Sequence, residues 1–319
     1  MKGIIKMSKF FLSMLITVLS FGAMAQSYPT KPVKIVLSVG VGSGPDVVAR
    51  RFAEVLSERW KQPVVVENLP GGGGVIGLNA INKETPNGYT IGFLDGGTVV
   101  AYAELFGNNT PISMLEPVAP VFDATMVLFT STQSGNFEQV KQRFLTNPSY
   151  SSWNVGSVAH VLGADLASTL TPDATHIPYK DFGQWQADVA SQNVTFAFGS
   201  TGTTKGMVQA GRTKLIAVAS DRRDPRYPNI PTVKELTGKN MRTIISWCAF
   251  YVPTNVPDNI KAQLNADIRV AALDPRVQET LTKFDYIPIH SLSPSEFNNK
   301  IKNDQIKYKE IVSKFNIKP

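Results

Sequence analysis

The chain's strongest constraint is a repeated order of short apolar run, glycine-rich turn and amphipathic stretch. Val33 to Val39 is a compact apolar run with one lysine, followed by Gly42-Ser43-Gly44-Pro45-Asp46 and then by Val48, Phe52, Val55 and Leu56 at helical spacing. Pro63 to Glu67 reads as a second strand, Val75 to Lys83 as a helix after Gly71-Gly72-Gly73-Gly74, and Thr90 to Leu94 as a third strand before Asp95-Gly96-Gly97-Thr98. Repeated βα units bury apolar strands under helices on both faces, which predicts an α/β fold with mostly parallel sheets.

A second series follows, with strands expected at Val121 to Thr130, Ser151 to Val155, Thr175 to Tyr179, Val194 to Phe198 and Leu215 to Ala219. The tail returns to one apolar strand, Thr243 to Tyr251, and three helical stretches at Asp258 to Leu273, Pro275 to Phe284 and Ser293 to Phe315, expected to pack back on the first series. Single cores stop growing near 250 to 300 residues, so a chain of this length accommodates two lobes.

Lys2, Lys6 and Lys9 precede an uncharged apolar run from Phe10 to about Gly22 and the pattern Ala23-Met24-Ala25. This order predicts a secretory signal peptide over residues 1–25, cleaved after Ala25, and the run is short of the roughly 20 residues a membrane span needs. Cleavage removes three lysines and no acid, so the formal charge falls from +7 to +4. The remaining basic residues are dispersed among acids, as in Lys300 to Glu310, which argues against a nucleic-acid partner and for a mild attraction to anions. Cys248 is the only cysteine, so no intramolecular disulfide forms; its apolar neighbours predict a buried, inert thiol.

The motifs that are missing narrow the function. His160, His176 and His290 are the only histidines and none has metal-ligand spacing to another. No phosphate loop, complete dinucleotide fingerprint or nucleophile elbow is present, so neither metal nor organic cofactor is expected and no catalytic residue is assigned. The glycine-rich turns remain. Each lies between a strand end and a helix start, where unpaired amides and the positive end of the helix dipole bind anions without Lys or Arg. The same glycines also simply permit tight turns.

The runs Tyr28-Pro29-Thr30-Lys31-Pro32-Val33-Lys34-Ile35-Val36, Gln62 to Gly74, Pro86-Asn87-Gly88-Tyr89-Thr90, Ile177-Pro178-Tyr179-Lys180, Leu215 to Ala219, Ile230 to Glu235 and Pro253 to Pro257 resemble the Bug-type receptors of tripartite tricarboxylate transporters. The resemblance follows almost the whole mature chain in order. It implies a two-lobed Venus-flytrap binding protein in the periplasm, a monomer that holds a small carboxylate between its lobes and delivers it to inner-membrane permease subunits. It also implies that residues 26–122 with 240–319 form lobe 1 and 123–239 form lobe 2, with crossings near Val121 to Asp123 and Thr237 to Thr243. Hinge closure at such crossings is how such receptors switch.

By the same resemblance, the ligand contacts in lobe 1 come from Val39, Gly42, Ser43, Asp46, Asp95 and Thr98. Those in lobe 2 come from Gly156, Ser157, His160, Tyr179, Phe198 and Ser200. Two places depart from the family pattern: Val41-Gly42-Ser43 stands where a Pro-Gly-Gly arrangement is usual, and Asp95 where a small polar residue is usual. Asp46, Asp95 and Ser157 each have a second reading as helix caps, His160 as a satisfied helix histidine, and Trp153 and Trp185 as packing. A ligand role for Asp95 would favour amino or hydroxy acids over plain diacids. Two other function classes fit the same chain, a receptor for a membrane signalling protein and an exported hydrolase or isomerase; the latter lacks any recognisable acid, base or nucleophile arrangement.

Overall fold

The computed structural model describes residues 28–106, 111–240, 246–315 and 317, so the signal peptide expected over residues 1–25 lies outside the described residues. In β1 (Val33–Leu37) the side chains alternate between two cores. Val33, Ile35 and Leu37 pack with Val48, Phe52 and Leu56 of α1 (Gly44–Trp60). Val36 faces the other way, into a cluster that holds Leu78 and Ile81 of α2 (Val75–Lys83). A strand apolar on both faces is what a central parallel position requires.

β2 (Val64–Asn68) and β3 (Thr90–Asp95) flank β1 in parallel, and α3 (Gly96–Phe106) follows β3 directly. β4 (Leu115–Ala124), β10 (Ser246–Pro253) and β11 (Tyr286–Pro288) complete the first sheet by antiparallel pairing, in the order β11-β4-β10-β3-β1-β2.

The second sheet has the order β7-β6-β8-β5-β9, from β5 (Met126–Ser131), β6 (Ser149–Ser152), β7 (Thr175–Pro178), β8 (Phe196–Ser200) and β9 (Thr213–Val218). Its helices are α4 (Phe137–Thr146), α5 (Val158–Leu170), α6 (Phe182–Ala190), α7 (Thr201–Gln209) and α8 (Val233–Thr237). The two-lobed α/β architecture is the expected one. The sheets, however, are mixed: β10 runs antiparallel to β3 and β4 in the first, and β5 runs antiparallel to β8 and β9 in the second.

The run Val121 to Thr130, read as one strand, is two strands in two different sheets. Val121 to Asp123 still lies inside β4; the chain changes lobes at Thr125. There the Thr125 carbonyl accepts from Thr201 N–H (2.9 Å) and its hydroxyl donates to Asp224 (2.9 Å). The second expected crossing, Thr237 to Thr243, lies partly outside the described residues.

The tail helices α9 (Asp258–Ala272) and α10 (Pro275–Lys283) pack on β4 and α1, as expected. The last helix, α11 (Pro294–Lys314), lies on α3 and also reaches α5 of the second lobe, where Lys314 pairs with Asp165 at 3.3 Å. The turn before β11 adds a further link between lobes: Asp285 accepts from Tyr227 Oη (2.6 Å) and pairs with Lys205 (3.0 Å).

Candidate functional site

Between the lobes lies a cavity of about 650 Å³ lined by both. From the first lobe come the residues after β1, the glycine run before α2, and the β3–α3 turn. From the second come the β6–α5 turn, the β7–α6 turn and the start of α7. Each is a strand end running into a helix, so the N-termini of α1, α2, α3, α5, α6 and α7 gather around one space. A helix N-terminus carries roughly half a positive charge, and a partly buried one stabilises an anion by up to about 2 kcal/mol. Among the described residues, Lys180 and Asp95 are the only lining ones with charged side chains.

Most of these helix ends are closed by their own side chains. Ser43 caps α1 and its hydroxyl donates to the Gly40 carbonyl at 2.8 Å. Asp95 caps α3, its two oxygens accepting from Thr98 N–H (3.0 Å) and Thr98 Oγ1 (2.7 Å). Ser157 caps α5, Asp181 caps α6 and Ser200 caps α7. α2 is the exception: Gly74 precedes it and supplies no side-chain cap. Gly71 to Gly74 all hold positive φ (117°, 57°, 65° and 104°), a path that side-chain-bearing residues resist.

Eight of the twelve expected contact residues line the cavity: Val39, Ser43, Asp95, Thr98, Gly156, Ser157, Tyr179 and Ser200. The other four do not, for separate reasons. Gly42 is behind the loop, where its φ of 80° turns the chain and its amide donates to Asp46 at 2.9 Å. Asp46 is buried (2% exposed) as the brace of that loop, accepting also from Asn68 (2.9 Å) and Arg50 (3.2 Å). Burial opposes its charge, but the Arg50, Gly42 and Asn68 hydrogen bonds outweigh it and hold its carboxyl below the usual range.

His160 turns away from the cavity. Its Nδ1 accepts the Gly156 N–H (3.0 Å), its ring stacks on His176, and burial pushes its pKa down to about 4. It is therefore neutral at physiological pH. Phe198 is fully buried against Phe196, where a packed aromatic side chain contributes roughly 1.5–3 kcal/mol that exposure to a cavity would forfeit. Tyr179 lines the space, but its hydroxyl donates to Asp188 at 2.7 Å.

Several lining residues escaped the sequence reading. Phe182 forms part of the wall from the second lobe beside Trp153, which the sequence had offered as packing, while Trp185 is core as that reading had it, its indole N–H on Ser151 Oγ at 3.0 Å. Phe122, Cys248 and Tyr286 also line the cavity, brought there by antiparallel strands far apart in sequence; burial pushes the Cys248 thiol well up. Ser38, one residue beyond β1, lines it with a hydroxyl that has no hydrogen-bond partner. Its position directly after a strand and before a glycine-rich loop was the one local signal available for it. Among the described residues no group of three or more His, Cys, Asp or Glu side chains is arranged to hold a metal, and no helix is long and apolar enough to cross a membrane.

The sequence model of a family described as "Tripartite tricarboxylate transporter family receptor" matches residues 48–317. Protein BugT of Bordetella pertussis is 29% identical over 280 residues, covering 83% of this chain and 83% of that protein. Among solved structures, periplasmic binding protein BugD superposes with a TM-score of 0.82 at 25% identity, covering 91% of this chain and 99% of that one. The R. palustris protein Rpa4515, solved with adipate, gives a TM-score of 0.82 at 22% identity, covering 92% and 99%.

Proposed function

Because the chain belongs to the tripartite tricarboxylate transporter receptor family, we propose that it is a periplasmic receptor that closes around a small carboxylate and delivers it to inner-membrane permease subunits. It is exported by cleavage after Ala25, acts as a monomer, and needs neither metal nor organic cofactor. It holds its ligand without transforming it. Lobe 1 comprises residues 26–124 with 240–319, and lobe 2 residues 125–239.

The observation that supports this reading is the convergence of six helix N-termini, three from each lobe, on one cavity with few charged side chains. An acid in that space gains contacts to both lobes only when they are together, so binding favours closure. The adipate held by the R. palustris relative fits the same chemistry. Asp95 would repel a carboxylate 4 Å away by about 1 kcal/mol in water and about 4 kcal/mol at an intermediate dielectric. The two hydrogen bonds from Thr98 draw on that charge, and several dipoles of up to about 2 kcal/mol each outweigh it.

Native mass spectrometry of the protein purified without denaturation, with small-angle scattering before and after ligand removal, tests the proposal. The expected result is a co-purifying organic acid whose loss enlarges the radius of gyration. A bound nucleotide, or an unchanged radius, would count against it.

A further inference from the structure

The turn after α10 carries an aspartate where helices usually end on glycine. Asp285 lies one position past the C-cap, Phe284, and holds φ 54°, in the left-handed region that side-chain-bearing residues resist. Its side chain reaches across to the other lobe. One carboxylate oxygen accepts from Tyr227 Oη at 2.6 Å and pairs with Lys205 Nζ at 3.0 Å, both in lobe 2.

The backbone of the same turn is held as well. The Asp285 carbonyl accepts from the Arg226 guanidinium, and the Lys283 carbonyl accepts from Lys205 Nζ at 2.9 Å. Gly202, in the first turn of α7, comes so close that a Cβ on it would lie 2.6 Å from the Phe284 carbonyl oxygen and 2.9 Å from Tyr286 Cε1. Arg226 Nη2 also donates to Thr125 Oγ1 at 2.9 Å, which places the link beside the residue where the chain changes lobes. The Asp285 and Lys205 side chains are 17% and 31% exposed, whereas Lys314, in the link to Asp165, is 57% exposed and screened by water and salt. Hydrogen bonds to a sheltered charge are the stronger kind, so the turn 283–286 is the firmer of the two links.

Asp285, Lys205 and Tyr227 are not among the residues that line the inter-lobe cavity, so they act on a ligand only through the placement of the lobes. Resting on the receptor reading above, we infer that Asp285 is a positioning residue for ligand binding: it ties the turn 283–286 of lobe 1 to lobe 2 as a non-covalent connection beside the chain crossings, and limits how far the lobes part. A protein that opens wider spends less time in the arrangement a ligand can bridge, and its apparent affinity falls by that fraction.

Asp285→Gly isolates the link, because glycine adopts this φ readily and keeps the turn while the carboxylate is lost. Tyr227→Phe removes one of the same contacts from the lobe 2 side, and Asp285→Asn keeps an acceptor for Tyr227 on a residue that tolerates the left-handed region. Small-angle scattering of the mature, ligand-free proteins, with far-UV circular dichroism to verify the fold, and calorimetric titration with adipate test the inference. Ligand-free Asp285→Gly should have a larger radius of gyration than wild type, with Tyr227→Phe and Asp285→Asn in between and the Asp285→Gly, Tyr227→Phe double variant no larger than Asp285→Gly. Adipate should bind Asp285→Gly about tenfold more weakly, as expected for losing a hydrogen bond to a charged group, and saturating adipate should return the radius to that of liganded wild type. An unchanged ligand-free radius in Asp285→Gly, or adipate affinity equal to that of wild type, overturns the inference. A larger radius with no adipate binding by any form, wild type included, sustains the connection and counts against the receptor reading instead.

Discussion

The imidazole rings of His160 and His176 lie face to face, their centroids 3.5 Å apart and their planes 5° from parallel. His176 is fixed from the other side by Ser152 Oγ, 2.8 Å from its Nε2. Burial pushes the two pKa values down, to about 4 for His160 and about 3 for His176, where the neighbouring imidazole adds to the effect. The folded state thus holds both rings neutral, whereas the unfolded chain protonates them below about 6.5. Their contribution to stability is complete above pH 6.5 and is lost as the pH falls towards 4, at up to about 1.4 kcal/mol per pH unit for each ring. Urea unfolding should show lower stability at pH 5 than at pH 7, and His176→Phe, which keeps a stacked ring, should reduce that difference. An equal pH difference in both proteins would show that the pair does not titrate this way.

Asp123 works in the opposite direction. It lies in β4 with Lys300 at 3.4 Å and the carboxylate of Asp304 nearby, and burial pushes its pKa up to about 6 despite Lys300. The folded state therefore binds this proton more tightly than the unfolded chain. Between about pH 4 and pH 6 the group makes stability fall as the pH rises, by at most about 1.4 kcal/mol per unit. Two histidines outweigh one aspartate, so wild type should still gain stability from pH 5 to pH 6. Asp123→Asn should make that gain steeper, and a shallower gain would contradict the assignment.

Gly44 opens α1 directly against the hydroxyl of Tyr286, and a Cβ at this position would overlap that oxygen and sit 3.0 Å from Cζ. Gly44→Ala should cost roughly 1–3 kcal/mol, the usual penalty for an added methyl in a packed site. In a Tyr286→Phe background the oxygen is gone and the cost should shrink. Chemical denaturation of the four proteins in this cycle measures the difference, and an equal cost in both backgrounds would mean the clash is relieved elsewhere.

Asp95 gives a separable test of cap against contact. Asp95→Ala should cost about 1 kcal/mol by uncapping α3, while Asp95→Asn should cost much less because asparagine caps nearly as well. Thermal-shift titrations with glutamate and glutarate should show Asp95→Asn treating both acids as wild type does. A selective loss for glutamate would instead place a ligand donor on Asp95.

The sequence alone determined the local pieces. The alternation of Val33 to Leu37, the helical spacing from Val48 to Leu56 and the glycine turns depend only on periodicity and neighbouring backbone, so strands, helices and the glycine-rich starts of several helices were legible. The α3 cap at Asp95 was legible for the same reason, since it spans three residues. Tertiary structure decided what depends on partners remote in the chain. Val121 to Thr130 is one apolar run, and only pairing with β10 on one side of Thr125 and with β8 and β9 on the other splits it between lobes. His160 looked like a ligand contact until its ring met His176, and Phe198 until it met Phe196. Ser38 is the reverse case: whether a hydroxyl is satisfied depends on everything that folds around it, and no spacing along the sequence records that its Oγ is left without a partner.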